Sequence, residues 1–465
     1  MTLIETLSSY LPEIEAPTQK RLPFKEKLKW TLIILVIFFI LGHIPLFGLG
    51  QDQLSQFEYL SIILGASFGS LISLGIGPIV TGSIVLQLLN GSGILKFDLT
   101  TPEGKNQYQS LQKLMSIFFV VFESFIFVFM GGLAPAVELV GTSLYFSLEL
   151  FLVFQLIMGG YLIILMDEVV SKWGIGSGLS LFIAAGVSQE LFLQALNPFP
   201  SITQPDVSAG ALPQIFQFLG TGDPTQALLP FGAILATIFV FVISVYAQAM
   251  KVEIPLSYGR IRGHGVRWPL NFIYTSVIPV ILIAALMANI QLWARLLQNW
   301  GRPWLGTFNI NNVPETGFIS WIYPTNLVER LLLGNLTLLD IAHSLSYMSF
   351  MIAGAVIFSY FWVQTSGLDA KNQAKQISSY GLQIPGFRND QRVLERLLNR
   401  YIQPLTIMGA ILIGFLASIA DVLGSLSSGT GLLLAVMIIY KIYEEIAKQH
   451  MMDMNPMMRK FMGGN

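Results

Sequence analysis

The chain has 465 residues, 53% of them hydrophobic and only 11% charged, with a mean hydropathy of +0.64. Soluble domains carry about 25% charged residues, so this composition excludes a soluble particle. The formal net charge of -1 excludes a generally basic nucleic-acid binder, and the absence of Cys excludes disulfides and thiolate metal sites.

Residues 1–29 contain Glu5, Glu13 and Glu15, lack a long apolar core and turn basic only near the membrane. They read as a retained cytosolic arm rather than a cleaved signal peptide. The stretch from Phe24 to Trp30 suits the membrane interface, with Trp30 at headgroup level.

A helix needs about 20 mostly apolar residues to cross hydrocarbon. Ten segments qualify as candidate spans: 30–49, 74–90, 111–132, 144–166, 174–195, 228–250, 270–291, 338–364, 401–422 and 430–447. The second is short and follows another apolar stretch, Leu54 to Ala66, that is too short to span. Gly65, Gly69, Gly75, Gly77 and Pro78 break up this region, which predicts a half-length helix, a turn and then a membrane helix.

Lys and Arg set the orientation. Of the 26 basic residues, all but Arg295, Arg302 and Arg330 fall in the N-terminal arm, in or beside the loops after spans two, four, six and eight, or in the tail. Loops after spans one, three, five and nine carry none. Both termini are therefore expected in the cytosol. The chain divides into an arm (1–29), a first five-helix half (30–225), a second half (226–447) with basic cytosolic loops at 251–269 and 365–400, and a cytosolic tail (448–465). An odd number of spans per half forces opposite orientations if the halves are related, which is the inverted-repeat plan of many transport proteins. The expected fold is an all-α integral membrane protein with ten transmembrane helices in two inverted five-helix halves.

Signals for chemistry are sparse. There is no nucleotide-binding P-loop, and His43, His264, His343 and His450 are scattered without an HExxH pair. Asp167-Glu168 falls in a short cytosolic loop and reads as solvated. The Met-rich tail from Met451 to Met462 reads as flexible rather than as a soft-metal site. No catalytic set, metal or cofactor is expected. Glu123 is the clearest ionisable residue at membrane depth, and a polar contact to a neighbouring helix accounts for it equally well. A secondary transporter with inverted repeats is the alternative, but it places several such groups at depth. An intramembrane enzyme needs a nucleophile with its base, or a metal set, and neither is evident. The two large basic loops exceed what orientation requires and suit an anionic partner such as ribosomal RNA.

Several motifs then carry a resemblance. Leu74-Gly75-Ile76-Gly77-Pro78-Ile79-Val80-Thr81, followed by Gln87-Leu88-Leu89, resembles the second transmembrane helix of the SecY family, the alpha subunit of the Sec translocon. Lys172-Trp173-Gly174-Ile175-Gly176-Ser177-Gly178-Leu179, running on to Gln189, resembles its fifth. Pro279-Val280-Ile281 with Ala288-Asn289-Ile290-Gln291 is similar to its seventh, Pro385-Gly386-Phe387-Arg388 to its large basic loop, and Gly429-Thr430-Gly431 to the start of its tenth. The matches run in order along essentially the whole chain, and the wording around Gly75 is similar to the archaeal branch.

The resemblance implies a gated protein-conducting channel that passes unfolded polypeptides across the membrane and releases membrane segments laterally into lipid. It implies an apolar pore ring of Ile76, Val80, Leu179, Ile183, Ile281 and Leu434. A short re-entrant plug at 54–66, with Leu54, Phe57, Leu60 and Ile63, is implied on the external side of that ring. It further implies a polar lateral-gate cluster of Thr81, Glu123 and Asn289, and ribosome docking through Arg260, Arg262 and Arg388. The partners it implies are small SecE-like (gamma) and beta-like membrane subunits, the ribosome, nascent preproteins with their signal sequences, and membrane lipids.

Overall fold

A computed structural model describes residues 12–19, 22–50, 69–91, 94–95, 97, 102–129, 132–199, 206–258, 265–275, 277–299, 301–309, 313–379, 382–383 and 390–454. The expected plug (54–66), Arg260, Arg262, Arg388 and the end of the Met-rich tail (455–465) lie outside these residues.

The chain is mostly helical. Among the described residues, seven helices are long and apolar enough to cross a membrane. They are α3 (Pro102–Phe129), α4 (Ser143–Trp173), α5 (Gly178–Leu196), α7 (Pro224–Ala249), α8 (Ile278–Asn299), α11 (Leu338–Thr365) and α13 (Gln391–Val422). Three further helices stand where spans were expected: α1 (Phe24–Gly42), α2 (Gly77–Gly91) and α14 (Gly429–Met454). The first turns of α1 carry Lys25, Glu26, Lys27 and Lys29, α2 is short, and α14 carries Lys441, Glu444 and Glu445 from its middle onward. Shorter helices α6 (Ala211–Thr221), α9 (Phe318–Trp321), α10 (Leu327–Leu332) and α12 (Ala370–Ser379) complete the set.

The local chemistry of the helix starts is plain. Pro224 opens α7, where a missing N–H costs nothing and φ is already helical. Thr142 caps α4, and Thr337 with Asp340 forms a reciprocal capping box on α11. Helix α8 starts eight residues later than the span expected at 270–291. Strand pairing holds the chain up to Asn271, and Pro279 fits only in the first helical turn.

The chain forms two compact units, residues 1–189 with 438–465, and residues 190–437. In the first, α2 packs on α3, α3 on α4 and α1 on α4. Its core includes Ile34, Phe38, Ile72, Ile79, Val120, Ile163, Leu181 and Phe182. The rings of Phe38 and Phe182 stack at 4.7 Å. A Cβ at Gly159 would sit 1.8 Å from the Leu71 carbonyl oxygen, so only glycine lets the 69–76 segment lie directly on α4. Phe118, Phe122, Phe125 and Phe129 are exposed on one face of α3. An exposed aromatic stripe would be a liability in water but is the ordinary face of a helix solvated by hydrocarbon.

In the second unit α11 packs along α13 and against α8. Its core joins Val280, Ile283, Met287, Tyr347, Met351, Ile413, Leu416 and Leu433. Two helices and the turn before α8 also share a buried polar contact: the Ser359 hydroxyl lies 2.9 Å from Thr275 Oγ1 and 3.3 Å from the Thr406 carbonyl oxygen. In an apolar surround such groups must satisfy one another.

The mostly helical fold also holds short strands that the sequence reading did not anticipate. The loop expected at 251–269 is an antiparallel hairpin, β1 (Lys251–Tyr258) with β2 (Gly265–Asn271). The second basic loop supplies β5 (Leu382–Gln383), which pairs with Ser257 and Tyr258 and gives the sheet order β2-β1-β5. A small hairpin, β3 (Thr307–Phe308) with β4 (Pro314–Thr316), precedes α9. The two basic loops thus share a core: Ile254, Leu256 and Leu270 of the hairpin pack with Ala374 and Ile377 of α12 and Leu394, Leu398 and Ile402 of α13. Helix α13 therefore starts ten residues before the expected span at 401–422, because its first turns bury an apolar stripe against this sheet rather than in lipid. Ile254→Ala is expected to destabilise this module by about 2–5 kcal/mol. Hydrogen exchange should show faster exchange of the β1 and β2 amides, while the amides of α3 and α4 keep their protection.

Candidate functional site

The six residues expected to form the ring lie in or just before the first turns of helices. Ile76 directly precedes α2, just after Gly75 turns the chain with φ at +55°. Val80 lies on α2, and Leu179 and Ile183 on α5. These four belong to one apolar cluster of the first unit, together with Ile79 and Phe182. Ile281 stands on α8 and Leu434 on α14 in the second unit, Leu434 against the core of Val280 and Leu433. Five of the six are half-buried, as a side chain packed on one flank and uncovered on the other must be. Ile76, at 7% exposure, is part of the packed cluster itself.

Of the polar trio, Thr81 and Glu123 come together. The Thr81 hydroxyl donates to the Gly77 carbonyl at 2.9 Å and is the polar group that the Glu123 carboxyl meets. A second polar link between α2 and α3 joins Gln112 Nε2 to Ser83 Oγ at 2.8 Å. Asn289 is on α8, and its side chain lies outside the described atoms. The best docking candidates in the basic loops also lie outside them. However, antiparallel pairing of Ser257 with Gln383 and of Tyr258 with Leu382 joins the two basic loops in one sheet. On α13 itself Arg392, Arg396 and Arg400 are all exposed at four-residue spacing, which places them on one helix face. Lys371 and Lys375 repeat that spacing on α12.

Asp167 and Glu168 depart from the expected solvated loop. They lie in the last turns of α4, which runs on to Trp173. Asp167 Oδ1 accepts the Leu179 amide at 2.8 Å, and Glu168 bonds both Lys113 (3.2 Å) and Lys172 (3.0 Å). A local sequence reading offers only the four-residue spacing of Glu168 and Lys172, because Leu179 and Lys113 come from the separate helices α5 and α3. The N-terminal arm is tied to the same place. Lys172 reaches Glu13 at 2.7 Å and the Ile14 carbonyl, Lys113 the Pro12 carbonyl at 3.0 Å, and Trp173 Nε1 the Glu15 carbonyl at 2.9 Å. The hydrogen bond and charge of Lys172 hold the Glu13 carboxyl below the usual carboxylate range. Trp30 meets Trp173 with ring centroids 5.6 Å apart. Among the described residues no group of three or more His, Asp or Glu could hold a metal ion.

Apolar helices of spanning length, joined by buried polar contacts and by a basic module of strands and helices, define a multi-pass helical membrane protein. Comparison with known proteins gives the family. A sequence profile of the SecY family matches residues 70–443, and a profile of the plug domain of Sec61p matches residues 36–69. The chain is 45% identical over 463 residues to the protein translocase subunit SecY of Methanothermobacter thermautotrophicus, covering 99% of this chain and 98% of the relative. It is 41% identical to the SecY subunit of Pyrococcus furiosus, covering 99% of each. Among solved structures, one described as "The structure of a protein conducting channel" superposes with a TM-score of 0.80 at 41% identity, covering 97% of this chain and 98% of the other. Another, "Sec61 in the Canine ribosome-channel complex from the endoplasmic reticulum", gives 0.77 at 41% identity with the same coverage. The chain belongs to the SecY family.

Proposed function

We propose that this chain is the pore-forming subunit of a protein-conducting channel, which passes unfolded polypeptides across the membrane and releases apolar segments sideways into lipid. The observation that carries the reading is the likeness to a protein-conducting channel over 97% of the chain, at a TM-score of 0.80. Ile76, Val80, Leu179, Ile183, Ile281 and Leu434 are the constriction. A narrow aliphatic neck excludes ions by dewetting and gives a passing polypeptide no fixed partner. The 54–66 segment is the plug, a reading supported by the plug-domain match at 36–69. Small gamma-like and beta-like subunits complete the complex, both termini lie in the cytosol, and α1, α2 and α14 cross the membrane with the seven longer helices. The ribosome docks on the basic module of the hairpin, α12 and the start of α13, and supplies the driving force. Reconstitution of the chain with its co-purifying small subunits, followed by translocation of a ribosome-bound preprotein into liposomes, tests the reading. Proteoliposomes that leave the preprotein accessible to protease would refute it.

Thr81, Glu123 and Asn289 bias the lateral gate. Hydrogen bonds between membrane helices average about 0.6 kcal/mol and reach about 1.7. Losing two changes a gate equilibrium by about tenfold, since 1.4 kcal/mol is a factor of ten. Asn289→Leu is expected to favour opening and to lower the signal hydrophobicity needed for insertion. Reporters carrying signals of graded hydrophobicity measure it, and an unmoved threshold would reduce Asn289 to a packing residue.

A further inference from the structure

Two helices carry constriction residues five positions from their first residue: Ile183 on α5, which starts at Gly178, and Leu434 on α14, which starts at Gly429. Five residues of helix are about 7.5 Å, so each side chain is placed by wherever its helix starts. Both starts are held the same way. In the first unit Asp167, near the end of α4, accepts the amide of Leu179 at 2.8 Å. In the second, Asp421, near the end of α13, accepts the amide of Gly429 at 2.6 Å.

The two anchors are built alike. Each Asp belongs to the helix that precedes the one it holds, so the bond closes a tight connection rather than capping its own helix. Glycine-marked stretches accompany both starts: Gly176-Ser177-Gly178-Leu179 runs into α5, and Gly429-Thr430-Gly431-Leu432 forms the first turn of α14. In both, a glycine lets the new helix lie against the old one. A Cβ at Gly178 would stand 2.6 Å from Asp167 Cα, and one at Gly429 would stand 1.9 Å from the Ala417 carbonyl oxygen.

Neighbouring elements brace both connections. Thr31 of α1 accepts the Ile175 amide at 3.0 Å. Tyr347 of α11 donates to the second oxygen of Asp421 at 2.6 Å, and Thr237 of α7 accepts the Leu426 amide at 2.9 Å.

We propose that Asp167 and Asp421 are paired positioning residues, which set the height of the Ile183 and Leu434 side chains and thereby the tightness of the resting ion seal. The inference rests on the reading of Ile183 and Leu434 as constriction residues. A seal made of dewetted aliphatic side chains tolerates little displacement, because a neck that admits a continuous thread of water conducts. A carboxylate that accepts an amide across a connection fixes both the axial position and the rotation of the following helix. Aliphatic packing alone permits sliding by a fraction of a turn.

The test is resting single-channel conductance of the whole complex in planar bilayers. Asp167→Ala and Asp421→Ala are each expected to raise resting open probability per channel about tenfold. Asp167→Asn and Asp421→Asn keep an acceptor oxygen and should fall between the parent and the Ala variants. Tyr347→Phe removes only the hydroxyl that braces Asp421 and should give a smaller rise. A merely structural role would lower the amount of assembled complex and leave conductance per channel unchanged. Leu434→Asn and Ile183→Asn separate this proposal from the reading it rests on. If they leak while the Ala variants assemble and stay as tight as the parent, the anchors are overturned and the constriction stands. If they too stay tight, the constriction reading falls and the anchors with it. Should an Ala variant not accumulate, Tyr347→Phe decides for Asp421. Asp167→Ser, whose hydroxyl is too short to reach the Leu179 amide, then decides for Asp167. Parent-like conductance in these variants overturns the proposal.

Discussion

Replacing Ile183 and Ile281 together by Asn is expected to raise the resting ion conductance of the channel by about tenfold or more. Each aliphatic side chain contributes about 1.5–3 kcal/mol when removed from water. Two amide groups in their place reverse that preference and offer water hydrogen bonds. A shift of about 1.4 kcal/mol in the wet–dry balance is already tenfold. The two positions are half-buried on separate helices, α5 and α8, so substituting them leaves the buried cores of Phe182 and Ile283 in place. Planar-bilayer recording of the intact complex gives the number. A double variant with parent-like resting current would remove both residues from the seal. Ile183→Leu with Ile281→Leu, which keeps aliphatic volume, should stay tight.

The second large effect concerns docking. Arg388→Glu, alone and combined with Arg392→Glu, Arg396→Glu and Arg400→Glu, is expected to weaken ribosome binding progressively, with the combined variant losing most of it. The argument is electrostatic. Binding to an RNA polyanion releases counterions, so log affinity falls linearly with log salt. For nucleic acids the slope is about -0.7 to -0.9 per phosphate contacted. Removing the three exposed arginines of α13 should therefore make the salt slope shallower by about two units. Co-sedimentation with ribosomes over a range of potassium concentrations reads both affinity and slope. An unchanged slope in the combined variant would place the contact elsewhere. The face is well suited to the task because the sheet and α12 bury the opposite side of α13 through Leu394, Leu398 and Ile402. The arginines are thus presented from a packed element rather than from a loose loop, and less entropy is lost on binding.

Much of this protein was legible in its residues. The positions of the membrane helices followed from apolar composition over about 20 residues, a property that survives without knowledge of neighbours. Every expected span contains a helix, from Phe24–Gly42 to Gly429–Met454. The family followed from short glycine-marked motifs in order, of which Gly75 with its positive φ and the Gly178 and Gly429 helix starts are sites where the backbone itself demands the residue.

Other features needed the tertiary structure. The hairpin at Lys251–Asn271 was hidden because its strands hold Pro255 and Pro269, and because its stability comes from Leu394, Leu398 and Ile377, more than a hundred residues away. Strand propensity is largely the propensity to pack, and the packing partners are not local. Asp167 was misread as solvated for the same reason: its partner, the Leu179 amide, sits beyond a turn that composition alone does not draw. Asp421 and the N-terminal arm, held by Lys172 and Trp173, belong to this class. Composition and periodicity fix which segments enter the membrane, since transfer from water to hydrocarbon is decided residue by residue. Which polar group meets which amide depends on distances set by the whole packed chain, and only the folded structure decides it.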